Sequence, residues 1–354
     1  MKFGVFLLLH SPDMKPAADV YRNALEQARL ADELGFDAVW LAEHHFSSYG
    51  YGPNPLTFAV KVAEQTRRVR IGTAVVVLPL YHPLRLAEDI ALADHLTEGR
   101  LDVGLGRGYQ RYEFERLGLE LSENRAMFDE ALEVMLAAWT QDTSSYEGAH
   151  FSFPETTIFP RPLQQPHPPL WIAAQSPGSI VDAVQRGYKC ITGGSSAPSD
   201  RVLQSWNVFR DAVNESGLGW PQEFVIQSQV HVGENDAAAR AQTQNALWHL
   251  RSAGALRANT QIVRNGLAVE QPQPNEPPPD LMYDEWVLFG DSDTVEFKVQ
   301  RLLNNTGITY LNCVFAIGRL EHGEVMKSME RFARDVMPQF RDKVGVSGAV
   351  EAPV

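Results

Sequence analysis

Three ionisable residues, Glu43-His44-His45, stand directly behind the apolar run Ala38-Val39-Trp40-Leu41-Ala42. A short apolar run after a glycine, here Gly35, reads as a strand buried on both faces. Such a strand ends in Glu-His-His when those groups face a cleft or pair with one another, and in parallel α/β sheets the carboxyl ends of strands are where ligands are handled. An imidazole with a pKa of about 6.5 can act there as general acid or base near neutral pH. The competing reading is a structural histidine pair satisfied by local hydrogen bonds. Two further strand ends carry polar groups of a different kind. Gly106-Arg107-Gly108-Tyr109 sets a forked guanidinium donor between two glycines, which permit close backbone approach to a ligand. Gln175-Ser176-Pro177-Gly178-Ser179 leads into a helix whose first amides and hydroxyls suit an anion. Together they form a candidate phosphate clamp, the alternative being a tight loop with Arg107 paired to Glu113 or Glu115. Adjacent His44 and His45 point to opposite sides of an extended backbone, so no metal site is expected. A serine hydrolase would need a Gly-x-Ser-x-Gly elbow, which this pattern does not supply.

The elements that must position these groups alternate regularly. Strands are expected at Lys2–Leu9, Phe36–Leu41, Val69–Leu78, Leu101–Leu105, Leu170–Ala174, Lys189–Thr192, Phe224–Val232 and Gly307–Phe315. Amphipathic helices are expected at Ala17–Leu34, Pro55–Arg67, Pro83–Leu96, Ser122–Trp139 with Ser122 as a possible cap, Gly178–Arg186, Asp200–Ser216, Ala237–Ala255 and Glu324–Phe340. Eight strand-helix units predict an α/β fold, a (β/α)8 TIM barrel with insertions at about 140–169 and about 257–284. The first insertion reads as a small hairpin formed by Ala149–Phe153 and Thr156–Phe159. The second, rich in proline, reads as a lid or an unstructured loop. A doubly wound sheet would instead need a glycine-rich phosphate loop after the first strand, where His10-Ser11-Pro12-Asp13 stands. One barrel domain over 1–345 with a tail at 346–354 is expected.

The 354 residues are 44% hydrophobic and 21% charged, the composition of a globular protein with a large core. A net charge of -13 argues against nucleic acid and against an anionic membrane as partners. Cys190 and Cys313 lie in apolar strand-like runs and read as small buried hydrophobes rather than a disulfide. No stretch reaches the roughly 20 apolar residues that span a bilayer. The apolar start Phe3–Leu9 lacks a small-residue cleavage site, and a cytoplasmic location is expected.

Five stretches carry a resemblance to a known family. They are Lys2-Phe3-Gly4-Val5-Phe6-Leu7-Leu8; Val39-Trp40-Leu41-Ala42-Glu43-His44-His45-Phe46 with Gly52-Pro53-Asn54-Pro55; Ile71-Gly72-Thr73-Ala74-Val75-Val76-Val77-Leu78-Pro79 with His82-Pro83 and Ala87-Glu88-Asp89; Glu98-Gly99-Arg100 with Gly104-Leu105-Gly106-Arg107-Gly108; and Asp335-Val336-Met337-Pro338. In them the sequence resembles the bacterial luciferase family of flavin-dependent monooxygenases, the α subunit above all. The resemblance implies a TIM barrel, commonly dimeric, that binds reduced FMN loosely. It implies that the flavin reacts with O2 at C(4a) and that the resulting hydroperoxide oxygenates an organic substrate. It implies His44 as the catalytic histidine, Arg107, Gln175, Ser176 and Ser179 as phosphate ligands, and a non-prolyl cis peptide at Ala74-Val75 against the flavin ring.

Departures from the light-emitting members are Gly106 in place of a reactive cysteine, Gln175 in place of an acidic residue, and a proline-rich second insertion. They favour a non-luminescent two-component monooxygenase, fed by a flavin reductase and acting on a small apolar aldehyde, ketone or similar molecule. A deazaflavin-dependent dehydrogenase on the same fold and a non-catalytic flavin-binding partner subunit are the alternatives; the presence of Glu43, His44 and Arg107 together argues against the latter. Glu43 and His45 are expected to support His44, and Phe46, Tyr109, Trp248 and Trp286 to line an aromatic substrate pocket. A homodimer is expected to form through the helices at Pro55–Arg67 and Pro83–Leu96.

Overall fold

The computed structural model describes residues 1–192 and 199–341. The tail expected from 346 therefore lies outside the described residues. The barrel strands are β1 (Lys2–Leu7), β2 (Ala38–Leu41), β3 (Arg70–Thr73), β4 (Leu101–Gly106), β5 (Leu170–Ala173), β6 (Lys189–Thr192), β7 (Phe224–Val232) and β8 (Tyr310–Val314). Each pairs in parallel with its neighbour in chain order, and β8 pairs with β1, which closes the barrel. The expected (β/α)8 barrel is the observed fold.

The strands read as unbroken apolar runs because both of their faces are buried. On β1, Phe3, Val5 and Leu7 pack outward on the helices, while Phe6 joins an inner cluster. On β2, Val39 and Leu41 face outward, and Ala38 and Trp40 face inward. Trp40 plugs the barrel: its ring meets Trp171 edge-on at 5.2 Å, and its indole N–H donates to the Tyr310 hydroxyl at 2.8 Å. Gly72 and Gly4 are required beside it, because a Cβ on Gly72 would lie 2.2 Å from the Trp40 ring and one on Gly4 2.9 Å from it. The interior is filled at this level, and the cavity described below lies towards the carboxyl ends of the strands.

Several boundaries differ from the sequence reading. The third strand is interrupted at Ala74-Val75, whose peptide bond is cis, and resumes as Val76–Val77 against β4. The helix expected from Ser122 starts at Asn124, behind a short 3-10 turn over Leu121–Glu123, and Ser122 does not cap it. The first insertion does hold a hairpin, but its strands are Ser144–Glu147 and Ser152–Thr156, because the chain reverses through Gly148 and His150. The second insertion is neither structureless nor loose. It forms a hairpin of Ile262–Arg264 with Leu267–Val269 and ends in a helix over Pro279–Glu285. Ser48 ties the hairpin down, donating its amide to the Gly266 carbonyl at 2.7 Å and accepting the Ala268 amide at 3.0 Å. Arg251 clamps its return through Glu270 at 2.9 Å and Glu276 at 2.7 Å. A strand at Leu288–Gly290, paired with the far end of β7, and a helix at Ser292–Thr306 were not expected. The two cysteines are free and buried, and among the described residues no helix is long and apolar enough to cross a membrane.

Candidate active site

A cavity of about 310 Å³ opens at the carboxyl end of the barrel. Glu43, His44, Ala74, Val75, Arg107, Tyr109, Gln175, Ser176 and Ser179 all line it. Four different strand ends are thus brought to one place, as the barrel dictates.

The loop after β2 divides its three ionisable groups. Glu43 is 2% exposed. Its carboxylate accepts the Val77 amide at 2.9 Å and meets His45 Nε2 at 2.9 Å, and Tyr81 is a third hydrogen-bond partner. Burial pushes the Glu43 carboxyl up from its ordinary value, opposed by its bonds to His45 and Val77. Burial would lower His45, but the Glu43 carboxylate outweighs it and His45 titrates above its ordinary value. Glu43 and His45 therefore form a buried pair that ties the β2 loop to the chain just beyond Ala74-Val75.

His44 turns to the cavity. Its backbone N–H donates to the Gly52 carbonyl at 3.2 Å, and Gly50 lies against its side chain, where a Cβ would come within 2.9 Å of the His44 Cβ. The ring meets Tyr49 edge-on at 4.7 Å. The Gln110 side-chain amide donates to Nδ1 at 2.7 Å, which leaves the proton of the neutral ring on Nε2. Glu113 Oε1 lies 3.4 Å from the same Nδ1 and also accepts the His45 amide at 2.8 Å. His44 thus presents an Nε2–H donor to the cavity, in an orientation that Gln110 fixes and with Glu113 packed beside Nδ1.

Glu113 is committed to the histidine loop, and Arg107 makes no ion pair or hydrogen bond among the described residues. This disposes of the pairing of Arg107 with Glu113 or Glu115. Its neighbours make room: a Cβ on Gly106 would fall 2.5 Å from Val75 Cγ2, and Gly108 adopts φ +74, with a Cβ that would fall 2.7 Å from the Phe114 ring. Across the cavity, Ser176 caps the helix Pro177–Gln185 in a reciprocal capping box, Ser179 N–H to Ser176 Oγ at 3.3 Å and Ser176 N–H to Ser179 Oγ at 3.0 Å. Those two amides are satisfied by the serines, so the positive end of the helix is offered to a ligand mainly through the Gly178 amide. A guanidinium with no partner among the described residues, set between glycines, opposite a helix start and next to the apolar Ala74 and Val75, fits a planar ring system that carries a phosphate.

Matching the chain with known proteins agrees with that fit. The model of the luciferase-like monooxygenases matches residues 1–310. The chain belongs to the luciferase-like monooxygenase family. Among relatives of this family, it is 30% identical to the oxygenase component of the flavin-dependent trigonelline monooxygenase of Acinetobacter baylyi, over 75% of each chain. It is 26% identical to the alkanal monooxygenase alpha chain of the Kryptophanaron alfredi symbiont, covering 97% of this chain and 99% of that one. The monooxygenase RslO1 from Streptomyces bottropensis superposes with a TM-score of 0.84 at 29% identity, over 96% of this chain and 100% of that one.

Within the luciferase-like barrel, some expected pocket residues stand elsewhere. Phe46 is 46% exposed, with φ +60, and does not line the cavity. Trp248 is packed behind the wall, stacked on His10 at 4.9 Å and facing Tyr49 at 6.3 Å. Trp286 lies at a separate, smaller cavity beside Lys298. His45 sits behind the wall against Glu43. Sequence reasoning missed Tyr49, Gln110, Glu113, Gln227, His249 and Arg257, all of which line the cavity. Gln110 and Glu113 sit at the start of a short helix, Arg111–Arg116, directly after the Gly-Arg-Gly turn. The sequence offered no signal for them, since their burial appears only once the loop is docked. The pocket is in consequence far more polar than an aromatic substrate slot.

Proposed function

We propose that this protein is the oxygenase of a two-component flavin monooxygenase, using reduced FMN supplied by a separate flavin reductase and O2 to oxygenate a small organic molecule. The observation that carries the reading is the Arg107 guanidinium, without a partner among the described residues, in the same cavity as a histidine supported by Gln110 and Glu113. In this reading Arg107, Gln175, Ser176 and Ser179 hold the phosphate, and Ala74 and Val75 lie against the ring. Bound reduced FMN supplies the two electrons with which O2 is split between the substrate and water.

The chain's own residues do the rest. His44 donates its Nε2–H to the reacting oxygen, while Gln110 fixes that tautomer and Glu113 holds the loop through the His45 amide. Glu43 and His45 hold the loop that presents His44 and anchor the backbone after Val75. The apolar walls, Phe6, Leu8, Val77 and Ile191, keep water from the reacting centre. A non-catalytic partner subunit would have no use for the Gln110–His44–Glu113 arrangement. We also propose a dimer through the helix Pro83–Leu96. Leu92 and Leu96 on it are exposed by 48% and 53%, and the strap that docks there adds exposed Phe159 and Leu163.

The test is anaerobic addition of reduced FMN followed by oxygen, with hydrogen peroxide measured against oxygen consumed. The wild type is expected to bind reduced FMN. His44→Ala is expected to bind it equally and to lose turnover by about 10²–10³-fold, the usual cost of removing one positioned donor to a developing oxyanion. Failure of the wild type to bind reduced FMN overturns the reading.

A further inference from the structure

The cavity has a second cation, and nothing proposed so far uses it. Arg257, the last residue of the helix Thr243–Arg257, lines the cavity from its mouth. It stands with its guanidinium carbon 5.8 Å from the centre of the Tyr109 ring, within the range of a cation–π contact. Other arginines of the chain are engaged: Arg251 with Glu270 and Glu276, Arg240 with Asp280 and Asp284, Arg319 with Asp13 and Glu270. Arg257 makes no ion pair or hydrogen bond among the described residues. The end of its helix is nonetheless fixed to the opposite wall, the Asn259 side chain accepting the Arg111 amide at 3.4 Å.

The groups around Arg257 are donors on neutral side chains. Tyr49 and Tyr109 are hydrogen-bonded to each other, and burial pushes both phenols above their ordinary values, so both keep their protons. His249 is lowered to about 3 by burial and by the nearby charges, so it adds no charge of its own. Glu113 is the one carboxylate these residues feel, and it is occupied by His44 and the His45 amide. On a chain of net charge -13, the exposed Arg257 guanidinium, without an ion pair among the described residues, raises a local positive potential at the cavity that draws anions in.

We propose that the substrate is an anion, a carboxylate-bearing organic molecule whose carboxylate is held by Arg257 and the Tyr49–Tyr109 hydroxyls while its apolar part reaches in towards His44. This rests on the reading of the cavity as the flavin site, in which Arg107 holds the phosphate and Arg257 is left for the substrate. It differs from the small apolar aldehyde, ketone or similar molecule expected from the sequence. Guanidinium and carboxylate match as forks, two parallel N–H donors to two oxygens. Arg257 is a specificity-determining residue in this arrangement and takes no part in the oxygen chemistry.

The experiment is calorimetric binding to the full-length protein of three acids, benzoate, cyclohexanecarboxylate and octanoate, each against its primary amide, with FMN binding measured in parallel. At least one acid is expected to bind on the order of 10- to 100-fold more tightly than its amide, more weakly as salt is raised. Arg257→Gln is expected to abolish that preference while leaving FMN affinity unchanged, and Arg257→Lys to restore part of it. Three results overturn the proposal: no acid preferred over its amide, a preference that survives in Arg257→Gln, or a loss in Arg257→Gln that falls on FMN instead. Failure of the wild type to bind FMN while the acid preference stands would sink the flavin reading and leave the anion site intact.

Discussion

Replacing Glu43 by Gln probes the device that holds the reacting histidine. The carboxylate is 2% exposed and accepts the Val77 amide at 2.9 Å, with His45 Nε2 also at 2.9 Å and Tyr81 as a further partner. A glutamine keeps one acceptor oxygen and turns an NH2 towards the remaining donors. One buried donor is then left unmatched, at about 1–3 kcal/mol, and the charge-assisted character of the other bond is lost, at about 1–2 kcal/mol. The sum, about 3 kcal/mol, sits at the lower end of the range for breaking a buried pair. The loss depends on pH with a definite sign. His45 titrates above its ordinary value in the folded protein, so its contribution is full below about 6.5 and fades as pH rises through the folded value. Glu43, also raised, contributes fully below about 4.5 and loses stability above it in the same direction. The part of both effects that comes from Glu43 is lost in the variant, so the gap between wild type and Glu43→Gln should be largest near pH 6 and narrow towards pH 9. Urea unfolding followed by tryptophan fluorescence at pH 6, 7.5 and 9 measures it. A gap below about 1 kcal/mol at pH 6, or one that widens with pH, would refute the reasoning.

Two further substitutions address the cofactor side. Gly106→Ala places a Cβ 2.5 Å from Val75 Cγ2, and Val75 must move; overpacking of this kind costs about 1–3 kcal/mol. The variant should fold with that loss in urea titration and bind reduced FMN about tenfold more weakly. Ser176→Ala removes the cap of the helix Pro177–Gln185, worth about 1 kcal/mol. Its expected signature is a small stability loss together with weaker FMN binding and unchanged riboflavin binding, read by fluorescence titration.

The barrel was legible because doubly buried strands and amphipathic helices follow different periods, and the chain alternates between them with glycine and proline at the joints. The helices Ala17–Leu34 and Pro83–Leu96 fall where the pattern sets them. The strand Leu288–Gly290 and the helix after it were hidden behind the prolines at 272–279. Three residues are too few to show a period, and that strand pairs only with the extended end of β7. At the site, His44 and Arg107 could be found because strand ends are polar where the strands themselves are apolar. Trp248 and Phe46 were misassigned for a reason local pattern cannot supply. Whether an aromatic ring faces a cavity, a core or solvent depends on the angle at which its segment docks. Gln110, Glu113 and Arg257 were invisible for the converse reason, as ordinary polar residues whose meaning comes from the elements that meet there.

Anaerobic titration of the protein with reduced FMN, repeated with reduced riboflavin and with Arg107→Gln, bears most directly on the central claim. The account predicts that wild type binds reduced FMN, that Arg107→Gln weakens this by about 10- to 100-fold through loss of a charge-assisted phosphate contact, and that riboflavin affinity is the same in both proteins. Equal FMN affinity in wild type and Arg107→Gln, or no binding of reduced FMN to the wild type, would contradict it.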